Sequence, residues 1–248
     1  MEEKSSGGHI LYVSDVSTKF TIDEFILLLF ASDKGRILQY DTDSKQVTVI
    51  ASDIFFPNGM EMTANNDAVL FTEFASRNVW RYNLKGAKAG TLQKIVDQLP
   101  GEPDNIRRSA SGKTFWVGLV KPRTLLKPTD MDYYLKKPLL RKLVAKFCYL
   151  SGNVLEKVGK LLKSDQIEEL AISLRTLQIF LPTLFRPDGG MMVEIDANGK
   201  ILSSIHIDSE DFGLISEVRE LPSPQPDQRV FYLGSFAMSY VRKLVITK

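Results

Sequence analysis

Oxygen-bearing side chains at a repeated spacing are the first chemical feature of this chain. Phe56-Pro57-Asn58-Gly59-Met60 and Gly101-Glu102-Pro103-Asp104-Asn105-Ile106 are two polar motifs, and Asn58 and Asp104 stand 46 residues apart. If each motif opens one unit of a radial repeat, the two positions face a common axis. Oxygens converging on an axis suit a hard cation. Calcium takes about six to eight of them, from carboxylates, amides, carbonyls and water. Asn58 and Asn105 offer amide oxygens and Asp104 a carboxylate. Asp15, closing the run LYVSD, offers a further carboxylate. Pro-Asn-Gly and Pro-Asp-Asn are also good turn sequences, because Asn and Asp tolerate left-handed backbone and cap their own turns. Spacing alone leaves both readings open.

Other chemistries are narrower. The chain has one cysteine, Cys148, and two histidines, His9 and His206. An intrachain disulfide and a cysteine-based zinc site are therefore excluded, and a zinc hydrolase is disfavoured. Glu73 and Glu217 fall on or near positions matching inner strands and are candidates to orient or deprotonate water. A surface or salt-bridging role is the plainer reading of each. Phe55, Phe56, Phe115, Trp116, Phe231 and Tyr232 read as sheet core before they read as a substrate cage. The 248 residues carry 32 Lys and Arg against 30 Asp and Glu. So even a balance gives no electrostatic footprint for nucleic acid.

The elements that must position these groups recur along the chain. LYVSD (11–15), VLFTEF (69–74), TFWVGLV (114–120) and VFYLGSF (230–236) are β-rich runs. RILQYD (36–41), NVWRYN (78–83), MMVEID (191–196) and YVRKLV (240–245) follow them. QVTVIA (46–51), TLQKIV (91–96) and KILSSIHI (200–207) form a third set. Asp41 and Asn83, at matching turns, are 42 residues apart. A four-stranded unit of about 40–50 residues is the pattern of a β-propeller blade, whose faces are buried only by stacking on neighbours. A generic antiparallel sandwich or barrel is the alternative. The expected architecture is all-β with a helical insertion, a β-propeller with about four blades present, as one domain over residues 1–248.

The repeat breaks once. From Asn83 to Asp196 is 113 residues, and the excess lies at about 122–187. There the apolar period changes to that of a helix: Leu140, Leu143, Val144 and Phe147; then Leu155, Val158 and Leu162; then Ile167, Leu170, Ala171, Leu174 and Leu177. Asp165 and Glu168 resemble a capping box, and Pro182 and Pro187 are expected stops. Residues 133–163 hold seven lysines and Arg141 against the single acid Glu156. Such a basic amphipathic helix pair suits either a cap packed on the propeller or an anionic membrane surface. The longest apolar run near the start, Phe25 to Ala31, is too short to span a bilayer. No secretory signal and no Asn-x-Ser/Thr acceptor is legible. Taken literally the chain reads as cytosolic; taken as a fragment it leaves the compartment open.

The motifs LYVSDVSTKF (11–20), GRILQYD (35–41), FFPNGMEMT (55–63), LPGEPDNIR (99–107), FWVGL (115–119), ISEV (215–218) and YLGSF (232–236) resemble the strictosidine synthase-like family, in that order and over nearly the whole chain. The resemblance implies a six-bladed propeller related to paraoxonases and gluconolactonases. It implies calcium in the central channel, with ligands at Asn58, Asp104 and Asn105 and, less directly, Asp15. It implies ester or lactone hydrolysis, arylesterase-type, by a protein of membranes or the secretory pathway. Three departures accompany it. About four blades are present, so the family's first two, with a metal-binding glutamate and any membrane anchor, are expected to be absent. Ser216, not Glu217, aligns with the catalytic glutamate of the alkaloid-forming synthases, which counts against a condensing lyase. The histidine pair of paraoxonase-type hydrolases has no counterpart in His9 or His206. A non-catalytic propeller scaffold or inactive fragment, binding a protein or lipid partner, is the alternative.

Overall fold

The structure, a computed structural model, describes residues 1–4, 7–31, 33–123, 132–133, 136–176, 189–209 and 211–247. Four antiparallel meanders follow one another along the chain. The first contains β1 (Glu2–Glu3), β2 (His9–Asp15), β3 (Gly35–Asp41) and β4 (Val47–Ile54). The second contains β5 (Pro57–Met62), β6 (Ala68–Glu73), β7 (Asn78–Asn83) and β8 (Leu92–Val96). The third contains β9 (Gly101–Arg108), β10 (Thr114–Pro122), β11 (Gly190–Asp196) and β12 (Ile201–Ile207). The fourth contains β13 (Ile215–Leu221), β14 (Gln228–Ser235) and β15 (Arg242–Thr247). β9 packs against both β5 and β13, so these first strands form the inner row of a propeller-type array. In the first blade only the two-residue β1 stands at that position.

Alternation explains the packing. β6 and β10 are nearly continuous apolar runs because each lies inside its blade and is covered on both faces. Leu70, Val79, Ile106, Phe115, Val117, Met191 and Val193 bury the second blade against the third. Trp116, Met192, Ile215, Val218, Phe231 and Leu233 bury the third against the fourth. Tyr232 departs from the expected aromatic core: it is 38% exposed, on the opposite face of β14 from Phe231 and Leu233. The final β-run begins two residues later than expected, at Arg242.

Polar ties reinforce the stack. Arg229 of β14 binds Glu194 of β11 and Glu220 of β13 at 2.7–3.2 Å. The same Glu220 accepts from the Trp116 indole at 3.0 Å. These hydrogen bonds let two carboxylates and an indole nitrogen be buried without an unpaired polar atom.

The insertion lies between β10 and β11 and differs in form from the expected helix pair. Its first two apolar stripes belong to one continuous helix, α2 (Pro138–Leu162). Leu143 and Phe147 point outward, whereas Arg141, Ala145 and Cys148 point inward. After Lys163, in a left-handed conformation, α3 (Asp165–Arg175) folds back on α2. Gly152 and Gly159 permit the contact: a Cβ at either would meet Arg175 or Glu168 at 2.6–2.7 Å. The expected capping box is not formed. Ser164 is the N-cap, and Asp165 and Glu168 sit in the first turn, where acids complement the helix dipole. Leu177, Pro182 and Pro187 lie outside the described residues.

Phe25 to Ala31, an apolar run in sequence, is a buried helix, α1 (Phe25–Phe30), in the β2–β3 connection. Ile26 to Phe30 form a cluster with Phe55, Phe56, Phe74, Val120 and Leu214 from the blades and with Ala145 and Cys148 from α2. Helices α1 and α2 thus make a cap that packs against residues of the second, third and fourth blades on one side of the array.

Candidate metal and hydrolytic site

The two polar motifs are not turns. They are the inner strands β5 and β9 themselves. Each inner strand is an edge of its sheet, where Pro57 and Pro103 cost no ladder hydrogen bond. Each also carries the same irregularity. Three steps from Pro57 to Met60 oppose two from Glu73 to Phe71. Three steps from Pro103 to Ile106 oppose two from Leu119 to Val117. In the fourth blade, three steps from Ile215 to Val218 oppose two from Ser235 to Leu233. This is a β-bulge, a device that re-aims side chains and recurs beside functional sites. Asn58, Asp104 and Ser216 occupy the same bulge position in consecutive blades. Gly59, Asn105 and Glu217 occupy the next.

Close backbone approach brings the bulges together. A Cβ on Gly59 would lie 2.4 Å from the Asn105 Cα, so only glycine lets β9 lie this close to β5. The Thr72 hydroxyl, on β6, donates to the Asp104 carbonyl at 2.6 Å and fixes the second bulge to the neighbouring blade. At the matching position of the third blade stands Gly118, and a Cβ there would meet the Ile215 carbonyl at 2.9 Å.

The Asn58 side chain lies beside the Asp104 carboxyl and favours its charged form. Burial, with the Glu217 charge adding to it, pushes the Asp104 carboxyl up to about 6 against the opposing pull of Asn58 and Arg107. Glu217 is likewise raised, chiefly by burial, while Arg107 favours its charged form. The Arg107–Glu217 ion pair is 2.8 Å long. Two half-buried carboxyls and an amide from three consecutive blades therefore meet, with Arg107 as the nearby cation. Asn105 is half-buried in the bulge beside Asp104.

The other two candidates lie at the ends of second strands. Asp15 is bound by Arg36 at 2.8 Å, which directs its carboxylate to the neighbouring strand β3. Glu73 is 4% exposed and accepts from the Phe55 amide, Ser76, Asn78 and the Trp80 indole at 2.8–3.2 Å. Four donors commit that carboxylate to pinning the β4–β5 connection, so it is a positioning group rather than a free base. Among the described residues no group of three His, Cys, Asp or Glu is arranged to hold a metal. Any cation here would rely on amide, carbonyl and water oxygens beside Asp104 and Glu217, a donor set calcium accepts. The sequence reading missed Arg107. Its place two residues beyond Asn105, on the same inner strand, is the signal that could have found it.

A bulged inner strand repeated around an axis, with a helical cap above it, defines a propeller whose polar residues meet at the centre. The sequence comparisons point the same way: the strictosidine synthase family model matches residues 5–87. Over most of its length it is similar to the adipocyte plasma membrane-associated proteins. The Salmo salar protein is 28% identical over 242 residues, covering 97% of this chain and 50% of the relative. The Homo sapiens protein is 30% identical over 183 residues, covering 73% of this chain and 42% of the relative. The chain spans about half the length of the curated relatives it matches. Among solved structures, a luciferin-regenerating enzyme matches all of this chain and 60% of its own at 10% identity, with a TM-score of 0.45. No described helix is long and apolar enough to cross a membrane.

Proposed function

We propose that this chain supplies part of the active centre of a calcium-dependent ester or lactone hydrolase, of arylesterase type. One observation carries the reading: the same bulge recurs on three consecutive inner strands and presents Asn58, Asp104 and Glu217 to one another. Asn58, Asp104 and Asn105 would hold the cation. Asp15 would join them only by leaving Arg36. Calcium, when bound, supplies Lewis-acid polarisation of the substrate carbonyl. The chain's own groups do the rest. Asn58 orients the Asp104 carboxyl. Arg107 holds Glu217 beside it, where burial favours proton uptake and suits Glu217 to accept a proton from attacking water. The cap of α1 and α2 walls off one side of the array and strengthens electrostatic interactions beneath it. Ser216 lacks a carboxyl at the bulge position, so it cannot act as an acid or base in an amine–aldehyde condensation.

The named relatives are plasma membrane-associated proteins, which supports a membrane setting for this chain also. A second reading, a propeller scaffold with a structural metal or none, is favoured by one specific observation: Arg107 and Arg36 already neutralise Glu217 and Asp15.

Calcium titrated calorimetrically into the folded chain tests the proposal, with Asp104→Ala beside it. One site per chain is expected, weakened about tenfold or more in the variant, and aryl ester turnover that chelator abolishes. No calcium binding by folded wild type would overturn the hydrolase reading. Binding without turnover of any aryl ester or lactone would favour the scaffold.

A further inference from the structure

Helix α2 is apolar on two opposite faces. The inner face is used: Ala145 and Cys148 enter the cap core, and Gly152 and Gly159 receive α3. The outer face carries Leu139, Leu143, Phe147, Leu150, Val154 and Leu161, each 61–83% exposed. Their spacings of four, four, three, four and seven fall on one stripe of a 3.6-residue helix. That stripe spans the length of the helix and packs against nothing described in this chain. Six large apolar side chains in one exposed row are not explained by folding.

The charges beside the stripe say what covers it. Lys142, Lys146, Lys157 and Lys160 are all exposed and lie along one border at spacings of four, eleven and three. Lys136 and Lys137 precede the helix and Lys163 ends it, all exposed. The one acid on α2, Glu156, is already bound by Lys160 at 2.5 Å and Arg175 at 2.7 Å. A bulky apolar row bordered by lysines is the arrangement of a helix that lies in the plane of a bilayer. Its apolar side sinks about 5–10 Å while its lysines meet anionic headgroups.

We propose that the outer face of α2 is an interfacial membrane-docking surface selective for anionic lipid. It deepens the membrane setting proposed above by naming the element that makes contact, and it does not require the calcium site. A second protein, or a second copy of this chain, would need acidic groups opposite the lysine border.

Vesicle flotation of the whole chain in the presence of chelator tests this apart from calcium. The chain is expected to float with phosphatidylcholine vesicles containing phosphatidylserine, and to do so less as salt rises. Binding to phosphatidylcholine alone should be weaker by about tenfold. Leu143→Asp, Phe147→Asp and Val154→Asp together should abolish flotation without altering the thermal melt, because all three side chains point outward. Lys142→Glu with Lys146→Glu should remove the preference for anionic lipid. In a Phe147→Trp chain the added indole emission should shift to the blue and be quenched by brominated lipid. Flotation that survives the triple substitution would overturn the proposal. So would a folded chain that never floats, or an added emission in Phe147→Trp that brominated lipid does not quench. Conversion of a dimer to a monomer by the triple substitution would assign the stripe to self-association instead.

Discussion

Asp104 ties stability to pH in an unusual direction. A free aspartate titrates near 3.9, whereas burial pushes this one up to about 6. Between those values the folded chain binds more protons than the unfolded chain, so stability falls as pH rises from about 4 to about 6 and is level above. Asp104→Asn removes the buried charge while keeping an oxygen near Asn58. Without calcium the variant should be more stable than wild type by about 1–2 kcal/mol at pH 7.5, a difference that vanishes near pH 4. Urea melts at the two pH values check this. An equal difference at both would mean that Asp104 is not the titrating group. With calcium present the order at pH 7.5 should reverse, because only wild type retains the carboxylate. At this scale the sequence was legible in part. The residue types and spacing of Asn58 and Asp104 pointed to a shared axis, but nothing local separated Glu217, which joins them, from Glu73. Their fates depend on partners distant in sequence: Arg107 for one, and Phe55 and Trp80 for the other.

The inner strands are the elements least visible in the sequence. β6, β7, β10, β11 and β14 announce themselves by aromatic and β-branched residues. β5 and β9 open with Pro-Asn-Gly and Gly-Glu-Pro-Asp-Asn, residues that sheets otherwise avoid, and so read as turns or cation ligands rather than as strands. They form strands because an inner edge needs few ladder hydrogen bonds and gains its burial from the next blade. Gly59 carries that gain. In Gly59→Ala the added methyl would meet Asn105 backbone at 2.4 Å, and backbone cannot move aside as a flexible side chain can. A loss of about 1–3 kcal/mol is expected, with β5 and β9 pushed apart and calcium affinity reduced. Gly86→Ala is the comparison: its φ of +82° is strained but the site is open, so it should cost stability without touching affinity. The helices show the converse limit. Their period was plain, yet which apolar stripe faced inward was not, because α2 is apolar on both sides and only the position of α1 chooses between them.

Across the whole molecule, the four blades are joined by side chains that reach from one sheet to the next. Arg229 bridges the third and fourth, Arg108 meets Glu61 between the second and third at 3.3 Å, and Thr72 grips β9. The insertion obeys a different logic. It leaves after β10 and returns at β11, and those strands are paired as far as Leu119 and Met191. Its two ends are therefore held side by side by the sheet, while Asp132 within it is bound by Arg123 and Arg77 at 2.7–2.8 Å. Replacing residues 124–188 with a short glycine-containing turn should leave every strand pairing in place, while uncovering the α1 face that Ala145 and Cys148 now shield. Circular dichroism should retain its sheet signal and lose helix, vesicle flotation should disappear, and solubility should drop unless Leu28 and Leu29 are made polar. Loss of the sheet signal would show that the cap is needed to assemble the blades. With every strand pairing retained after that replacement, the segment would be a cassette: lengthened, recharged or deleted at one hairpin, it would change the surface the chain presents without renegotiating any strand register.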